Sequence, residues 1–455
     1  MISRSASPLL RILGAVLTCV VALAVVDGVA VPVMAQGSER SSNEYTTKAK
    51  AAIVMDADTG AILYQVKADE LMPPASMSKL MTVALAFKAL KSGQVKLTDP
   101  FLMSEHAWRH GGAPSRTSAM MVPLNTRVTL DELLQGIIVQ SGNDAAIAVA
   151  EGLGRSEDAF AKMMTEEARR IGLTKATFRN ATGLYHPEHL MTVRELAILA
   201  RHLIREYPEY YSRFSQKEFQ YGKHKFINRN PILTAFPGAD GLKTGHIAEA
   251  GYGLVASAQQ DGKRLIAVLG GLPTENDRKE EGRKILEWGF KNISAFKIYE
   301  AAEVVGYARV WGGDHFYVGL NGRGDVSVIL PRFPANQKLK GEIVYNAPLK
   351  PPIKMGDKVA LLRVTSSSGA SSEVALYAAE DVEPAGVVRK GLDSLAHLAE
   401  SAVGMAFSKL KPGHSQAAPA PPVEPAAVGI SAPAAEKGAA VAPRAPSPVT
   451  TQAQE

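Results

Sequence analysis

At 455 residues the chain is long enough for two domains and additional segments, and its 46% apolar content supports an ordinary hydrophobic core. The formal net charge of +6 comes without a dense Lys/Arg run or zinc-finger spacing, which argues against a nucleic-acid binder. The single cysteine, Cys19, leaves no basis for a disulfide framework.

In chain order, Arg4 and Arg11 flank the start of an apolar run from Ile12 to Val26. Val33-Met34-Ala35 then supplies small residues ahead of Gln36. This pattern predicts a signal peptide over 1–35, with an uncleaved membrane anchor as the alternative. Cys19 lies inside that run, and "VLTC" lacks the small residues of a lipoprotein acceptor site. The mature chain would therefore have no thiol, which excludes cysteine catalysis.

"KAAIVMDADTGAILYQV" places two apolar runs around Asp58-Thr59-Gly60, a hairpin signal. "PPASMSKLMT" follows. Proline suits a helix entry, so a helix is predicted from near Ser76 to about Lys91, where "KSGQ" supplies a stop. "TLDELLQGIIVQ" and "NDAAIAVAEGLG" read as helices on either side of Ser141-Gly142, and "EDAFAKMMTEEARRIG" and "TVRELAILARHLIREYP" as further amphipathic helices. From Gly238, "ADGLKTG", "GYGLVASAQQ" and "KRLIAVLGGL" read as consecutive strands, closed by the helix "NDRKEEGRKILEWGFKNI". Together these predict one α/β domain over 44–292.

Residues 293–386 consist of short β-rich runs cut by Gly, Asn and Pro, which predicts a small all-β sandwich. Within it, Arg323-Gly324-Asp325 in "NGRGD" reads as a hairpin turn. Over 387–411 helical spacing returns. Leu392, Leu395, Ala396, Ala399, Val403, Phe407 and Leu410 share one stripe, with basic residues at the ends. Such a helix suits a membrane interface, and packing on the sandwich is the alternative. Residues 412–455 are Ala/Pro-rich and poor in bulky apolar residues, which predicts a disordered tail.

The chemistry rests on three short motifs. Ser76 and Lys79 are three residues apart, hence on one face of a helix turn. Alone, this spacing fits an N-cap and an ordinary lysine as well as a nucleophile and its base. Ser-x-x-Lys recurs at Ser294–Lys297, Ser-x-Asn at Ser41–Asn43, and Lys-Ser-Gly at Lys91–Gly93, each in a setting that reads as structural. Only one ordered set has good settings throughout. Ser76-Met77-Ser78-Lys79 opens a helix, Ser141-Gly142-Asn143 sits between helices, and Lys243-Thr244-Gly245 ends a strand. The histidine pairs His106/His110 and His186/His189 do not complete a zinc site of defined spacing, and no phosphate-loop pattern is present. No cofactor or metal is expected.

With these motifs the sequence resembles the low-molecular-mass penicillin-binding proteins, the serine D-alanyl-D-alanine carboxypeptidases. "FRNATGLYHPEHLMTVRELAILARHLI", "NRNPIL", "DGLKTGHIAEAGYGLVASA" and "EWGF" are similar to the family's pattern, over about 46–410. The resemblance implies a transpeptidase-type α/β domain, with helices around an antiparallel sheet, followed by the β sandwich, the amphipathic helix and the tail. It implies removal of the terminal D-Ala from peptidoglycan stem pentapeptides through an acyl-enzyme on Ser76, with β-lactams as inhibitors. The protein would be periplasmic, with residues 387–411 as a peripheral contact to the cytoplasmic membrane. A D,D-endopeptidase and a non-catalytic penicillin-binding scaffold remain the alternatives.

A serine needs a nearby base, and Lys79 serves only if burial and a second cation, which Lys243 can supply, lower its pKa. Ser141 can relay a proton, and Asn143 can hold Lys79 or the substrate amide. The resemblance implies an oxyanion hole from the backbone N–H groups of Ser76 and His246. The strand ending in Lys243-Thr244-Gly245 can pair with an extended substrate, Gly245 allowing close approach. Thr244 with Arg229, which matches the family's arginine in "NRN", would bind the terminal carboxylate. Serine β-lactamases share the three motifs. The Glu-x-x-Leu-Asn of class A enzymes is not in evidence, since "EHLMT" follows Pro187 instead.

Overall fold

The computed structural model describes residues 45–332 and 337–386, together with the backbone of Ala427–Ile430. The predicted signal peptide, Cys19 and the predicted amphipathic helix lie outside the described residues, as does the predicted tail apart from those four residues.

The first strands, β1 (Ala51–Asp56) and β2 (Ile62–Val66), form the expected antiparallel hairpin. Pro73 and Pro74 then lead into a 3-10 turn, Ala75–Ser78, which runs directly into α1 (Lys79–Lys91). Two three-residue strands, β3 (Pro100–Leu102) and β4 (Arg127–Thr129), pair around α2 (Glu105–Gly111). The helical region continues with α3 (Leu130–Gln135), α4 (Asn143–Gly154), α5 (Glu157–Arg170) and α6 (Val193–Glu206). Several starts carry their caps in the sequence. Thr129 with Glu132 and Thr192 with Glu195 close reciprocal capping boxes, and Ser156 accepts from Ala159 N–H. A small hairpin, β5 (Glu218–Tyr221) with β6 (His224–Ile227), was not legible in the sequence. It precedes β7 (Ala239–Ile247), β8 (Gly251–Gln260), β9 (Lys263–Leu272) and α7 (Glu275–Asn292).

The sheet of the first domain has the antiparallel order β2-β1-β9-β8-β7. Its central strands are apolar almost without interruption because both faces are covered. Ile53, Met55, Val255, Ile266 and Val268 point into the core shared with α1, α4 and α6, including Leu80, Phe87, Ile147 and Leu196. Ala52, Val54, Leu254, Ala256 and Leu269 point the other way, onto Ile285 and Leu286 of α7. From Leu80 to Phe87, α1 is buried all round, as expected of a central helix. Within this sheet β7 is the edge opposite β2, and the Ala75–Ser78 turn packs beside it. A Cβ on Gly245 would come within 3.0 Å of Pro74 O and 3.2 Å of Ala75 Cβ, a crowding that glycine avoids.

The second region holds β10 (Ile293–Tyr299), β11 (Gly306–Arg309), β12 (Tyr317–Asn321), β13 (Val326–Pro331), β14 (Leu339–Val344), β15 (Lys358–Ser366) and β16 (Ser371–Ala378). The pair β10–β13 packs against the strands β14-β15-β16-β12-β11 around Val318, Leu320, Val328, Leu362 and Leu376. Ala427–Ile430 forms β17, antiparallel to β14. Ser371 of β16 pairs with Ile62 of β2, and Gln65 Nε2 donates to Gly369 O at 2.6 Å. The β region thus joins the first sheet at the edge away from Ser76. The hairpin expected at Arg323-Gly324-Asp325 is corrected. This turn links β12 to β13, and those strands pair with β11 and β16 on one side and β10 on the other, not with each other. The turn is a crossing between layers, held by Arg323 over the Tyr377 ring at 4.5 Å and by Asp325, which accepts from Ala301 N–H. No described helix is long and apolar enough to cross a membrane.

Candidate active site

Four segments converge at the exposed side of β7. The first is the Ser76 turn. Lys79 is fully buried, and its Nζ donates to Ser76 Oγ at 2.8 Å and to Thr182 O at 2.5 Å. Burial, followed by the Arg229 guanidinium, pushes the Lys79 amine down to about 7, against the opposing pull of Asp144 and Glu157. Ser78 Oγ donates instead to Ala75 O at 3.0 Å. It is therefore a structural serine.

The second segment is 179–184. Asn180 Oδ1 accepts from Thr182 N–H, Thr182 Oγ1 and Gly183 N–H, and Thr82 Oγ1 of α1 donates to Ala181 O at 2.8 Å. Gly183 has φ +75°, and a Cβ there would lie 1.9 Å from Ala75 O. The segment is thus pressed against the Ser76 turn and presents the Thr182 carbonyl to Lys79. The sequence reading had Asn143 as a candidate to hold Lys79. Asn143 Nδ2 instead donates to Thr117 Oγ1 at 2.8 Å, and its Oδ1 has no protein partner among the described residues.

The third segment carries Ser141 and Asn143. Gly136–Gln140 adds a wide helical turn after α3, and Ser141 then adopts a left-handed conformation with φ 64°. Its buried Oγ also has no protein partner among the described residues. A strained non-glycine residue with an orphaned hydroxyl fits a functional position better than a packing one. Asp144, fully buried, accepts from the backbone N–H groups of Met120 and Ala145, which pins the stretch from Thr117 to Val122 over the site. Burial raises its pKa despite those donors.

The fourth element is β7 with its surroundings. Lys243 is buried, and its Nζ donates to Thr244 O at 3.2 Å. Its amine is held well below the lysine range by burial, then by Lys79, Arg229 and Arg278. Lys79 thus lowers Lys243, whereas the cation that lowers Lys79 is Arg229 rather than the Lys243 expected from the sequence. Thr244 and Gly245 are buried. The exposed His246 stacks on Tyr252 at 4.0 Å. Arg229 Nη1 donates to Ser118 Oγ at 2.7 Å, which fixes its guanidinium beside the Thr117–Val122 stretch.

The sequence reading missed Arg278. Its guanidinium is buried under the same field, ion-paired to Glu275 at 2.5 Å and 5.5 Å from the Tyr252 ring centroid. Only the packing of α7 on β8 brings it there, and its helical context carries no local signal. Thr182 was equally silent, since a backbone carbonyl has no sequence signature. Among the described residues no group of three or more His, Cys, Asp or Glu side chains is placed to hold a metal. His189 is buried with its ring pushed down to about 4, mainly by burial, and His186 Nδ1 accepts from Glu188 N–H. Glu188 itself is exposed and paired with Arg179.

Known proteins share this arrangement's sequence. Residues 38–274 match the family model described as D-alanyl-D-alanine carboxypeptidase, and residues 294–384 match that of the penicillin-binding protein 5 C-terminal domain. The D-alanyl-D-alanine carboxypeptidase DacC of Escherichia coli is 35% identical over 352 residues, covering 77% of this chain and 88% of the relative. The crystal structure of penicillin binding protein 5 from Haemophilus influenzae superposes with a TM-score of 0.61 at 34% identity, over 75% of this chain and 99% of that one. Penicillin-binding protein D2 from Listeria monocytogenes, solved in its cefotaxime-bound form, gives 0.50 at 30% identity, over 54% and 99%. The chain belongs to the D-alanyl-D-alanine carboxypeptidase family, with the α/β catalytic domain and the β-rich C-terminal domain of its penicillin-binding protein 5 branch.

Proposed function

We propose that Ser76 is the nucleophile of this serine-type D-alanyl-D-alanine carboxypeptidase and that Lys79 is its general base. The observation that carries this reading is a fully buried amine, held at about 7, 2.8 Å from the Ser76 hydroxyl. Near neutral pH a large share of Lys79 is unprotonated. It takes the Ser76 proton as Oγ attacks the carbonyl of the penultimate D-Ala. The Ser76 and His246 N–H groups receive the developing oxyanion. Ser141 passes the proton to the nitrogen of the leaving D-Ala, and water then cleaves the ester. Asn143 meets the substrate amide with its orphaned Oδ1, and Lys243 adds to the positive field around Lys79.

The edge of β7 offers its backbone to an extended stem peptide, and Thr244, Arg229 and Arg278 face the terminal carboxylate. Arg229→Ala and Arg278→Ala are each expected to raise KM for a pentapeptide with a free C-terminus by about 10- to 100-fold, the loss of one charged hydrogen bond. Steady-state kinetics on free and amidated peptides check this. On the amidated peptide KM should be the same for the variants and wild type, whereas Arg229→Ala should lower kcat near pH 7 on both peptides, because the cation that helps to lower Lys79 is gone.

β-Lactams are read as acylating the same serine, with slow release, because Glu188 is exposed and engaged by Arg179 rather than placed at the site. We further infer export on the 1–35 signal, a catalytic domain over 44–292, a β-rich domain over 293–386 and membrane contact through 387–411, on the sequence features described above. The deciding experiment is D-Ala release from a D-Ala-D-Ala pentapeptide beside cleavage of a cross-linked dimer. Multiple turnovers on the pentapeptide support the carboxypeptidase reading. Cleavage of the dimer alone favours the endopeptidase. Penicillin binding without either activity favours a scaffold.

A further inference from the structure

We propose that Glu157 is a positioning residue for the Lys79 base, acting through the 179–184 segment; this rests on the reading of Lys79 given above. Glu157 opens α5, where a carboxylate is favoured by the free N–H groups of the first turn. Its side chain is largely buried, and its two oxygens look in opposite directions. Oε1 accepts from Ala181 N–H at 3.0 Å, and Oε2 lies 2.9 Å from His106 Nε2 on α2. Ala181 is itself fully buried, so without Glu157 its N–H would be an orphaned donor.

The next residue in the chain is Thr182, whose carbonyl accepts from Lys79 Nζ. The two peptide groups of Ala181 are therefore held from opposite sides, the N–H by Glu157 and the C=O by Thr82. That pairing sets where the Thr182 carbonyl points, and so where the Lys79 amine sits relative to Ser76. Glu157 touches neither substrate nor the reacting atoms. Its second contribution is its charge, which favours the protonated form of Lys79. The other charged groups acting on that amine are Arg229 and Asp144 on α4, and the amine in turn lowers Lys243 on β7 and His189 beside the 179–184 segment.

The test is the rate of Ser76 acylation by a fluorescent penicillin, measured across pH 5 to 9 on the full chain for wild type, Glu157→Gln and Glu157→Ala. Alanine removes both hydrogen bond and charge, and should slow acylation about 10- to 100-fold, the effect of a small misplacement of a catalytic group. Glutamine keeps an acceptor for Ala181 N–H and should recover most of that loss. In both variants the acidic limb of the profile should move to lower pH, because a neighbouring anion no longer stabilises the ammonium. A simple packing defect would slow the reaction without moving the limb. The inference is overturned if glutamine is as slow as alanine, or if both variants keep the wild-type rate and limb. Should the alanine variant fail to fold, the limb of the glutamine variant decides alone. If wild type itself shows no acidic limb near pH 7, the failure lies with Lys79 as base, and the inference falls with it.

Discussion

Ser76→Ala is expected to lose at least about 1,000-fold in D-Ala release and to form no covalent adduct with penicillin. Mass spectrometry of the intact protein after incubation with a β-lactam reads the second point directly. Folding should survive, because Ser76 is only half-buried and, among the described residues, its hydroxyl is bonded to Lys79 alone. The neighbouring Ser78 supplies the control. It is fully buried and bonded to Ala75 O, so its replacement should lower stability more than it lowers acylation in the protein that remains folded. An adduct on Ser76→Ala would remove Ser76 as the nucleophile and with it the proposed mechanism.

Lys79→Met should cost about 100- to 10,000-fold in acylation, the usual weight of a general base. The same substitution should make the protein more stable at pH 7. An unfolded lysine titrates near 10.5, whereas the buried Lys79 amine titrates at about 7. Between those values the unfolded chain binds more protons than the folded one, so this residue's contribution to stability rises with pH across that window. Below about 7 both states are protonated and the burial penalty is at its full size. The advantage of Lys79→Met is therefore greatest at and below pH 7. It shrinks by about 1.4 kcal/mol per pH unit towards 10.5. Urea midpoints at pH 7 and pH 9.5 test the sign, and a gap that widens with pH would refute a depressed Lys79. In the wild-type enzyme kcat/KM should fall as pH drops through about 7, because the base becomes protonated.

Much of the fold was legible because local signals agreed with the final packing. The Asp58-Thr59-Gly60 turn and the two prolines before Ser76 each specify an element within a few residues. The apolar runs of β8 and β9 read correctly as strands because β-rich segments covered on both faces need no polar alternation. The β5–β6 hairpin was missed because it is short: Phe219 and Tyr221 alternate with Glu218 and Gln220 over four residues only, and Phe226 and Ile227 of the second strand are adjacent. The Arg323-Gly324-Asp325 turn was misread as a hairpin because turn chemistry is the same whether the flanking strands pair or part into different layers.

The sequence by itself determined the identity of the chemistry. Three motifs in order, each in a fitting local setting, picked out Ser76, Lys79, Ser141 and Lys243 as the proposed nucleophile, base, relay and second amine, since spacing along one helix turn and at one strand end is a local property. Only the tertiary structure decided what makes that chemistry work. Lys79 is lowered by burial beneath a loop more than 100 residues downstream, and it is held by the Thr182 carbonyl rather than by Asn143. Arg278 reaches the site through the packing of α7 on the sheet, and Glu157 through an N–H of the 179–184 segment. Desolvation and hydrogen-bond satisfaction belong to the three-dimensional surroundings of an atom, so no window along the chain carries them.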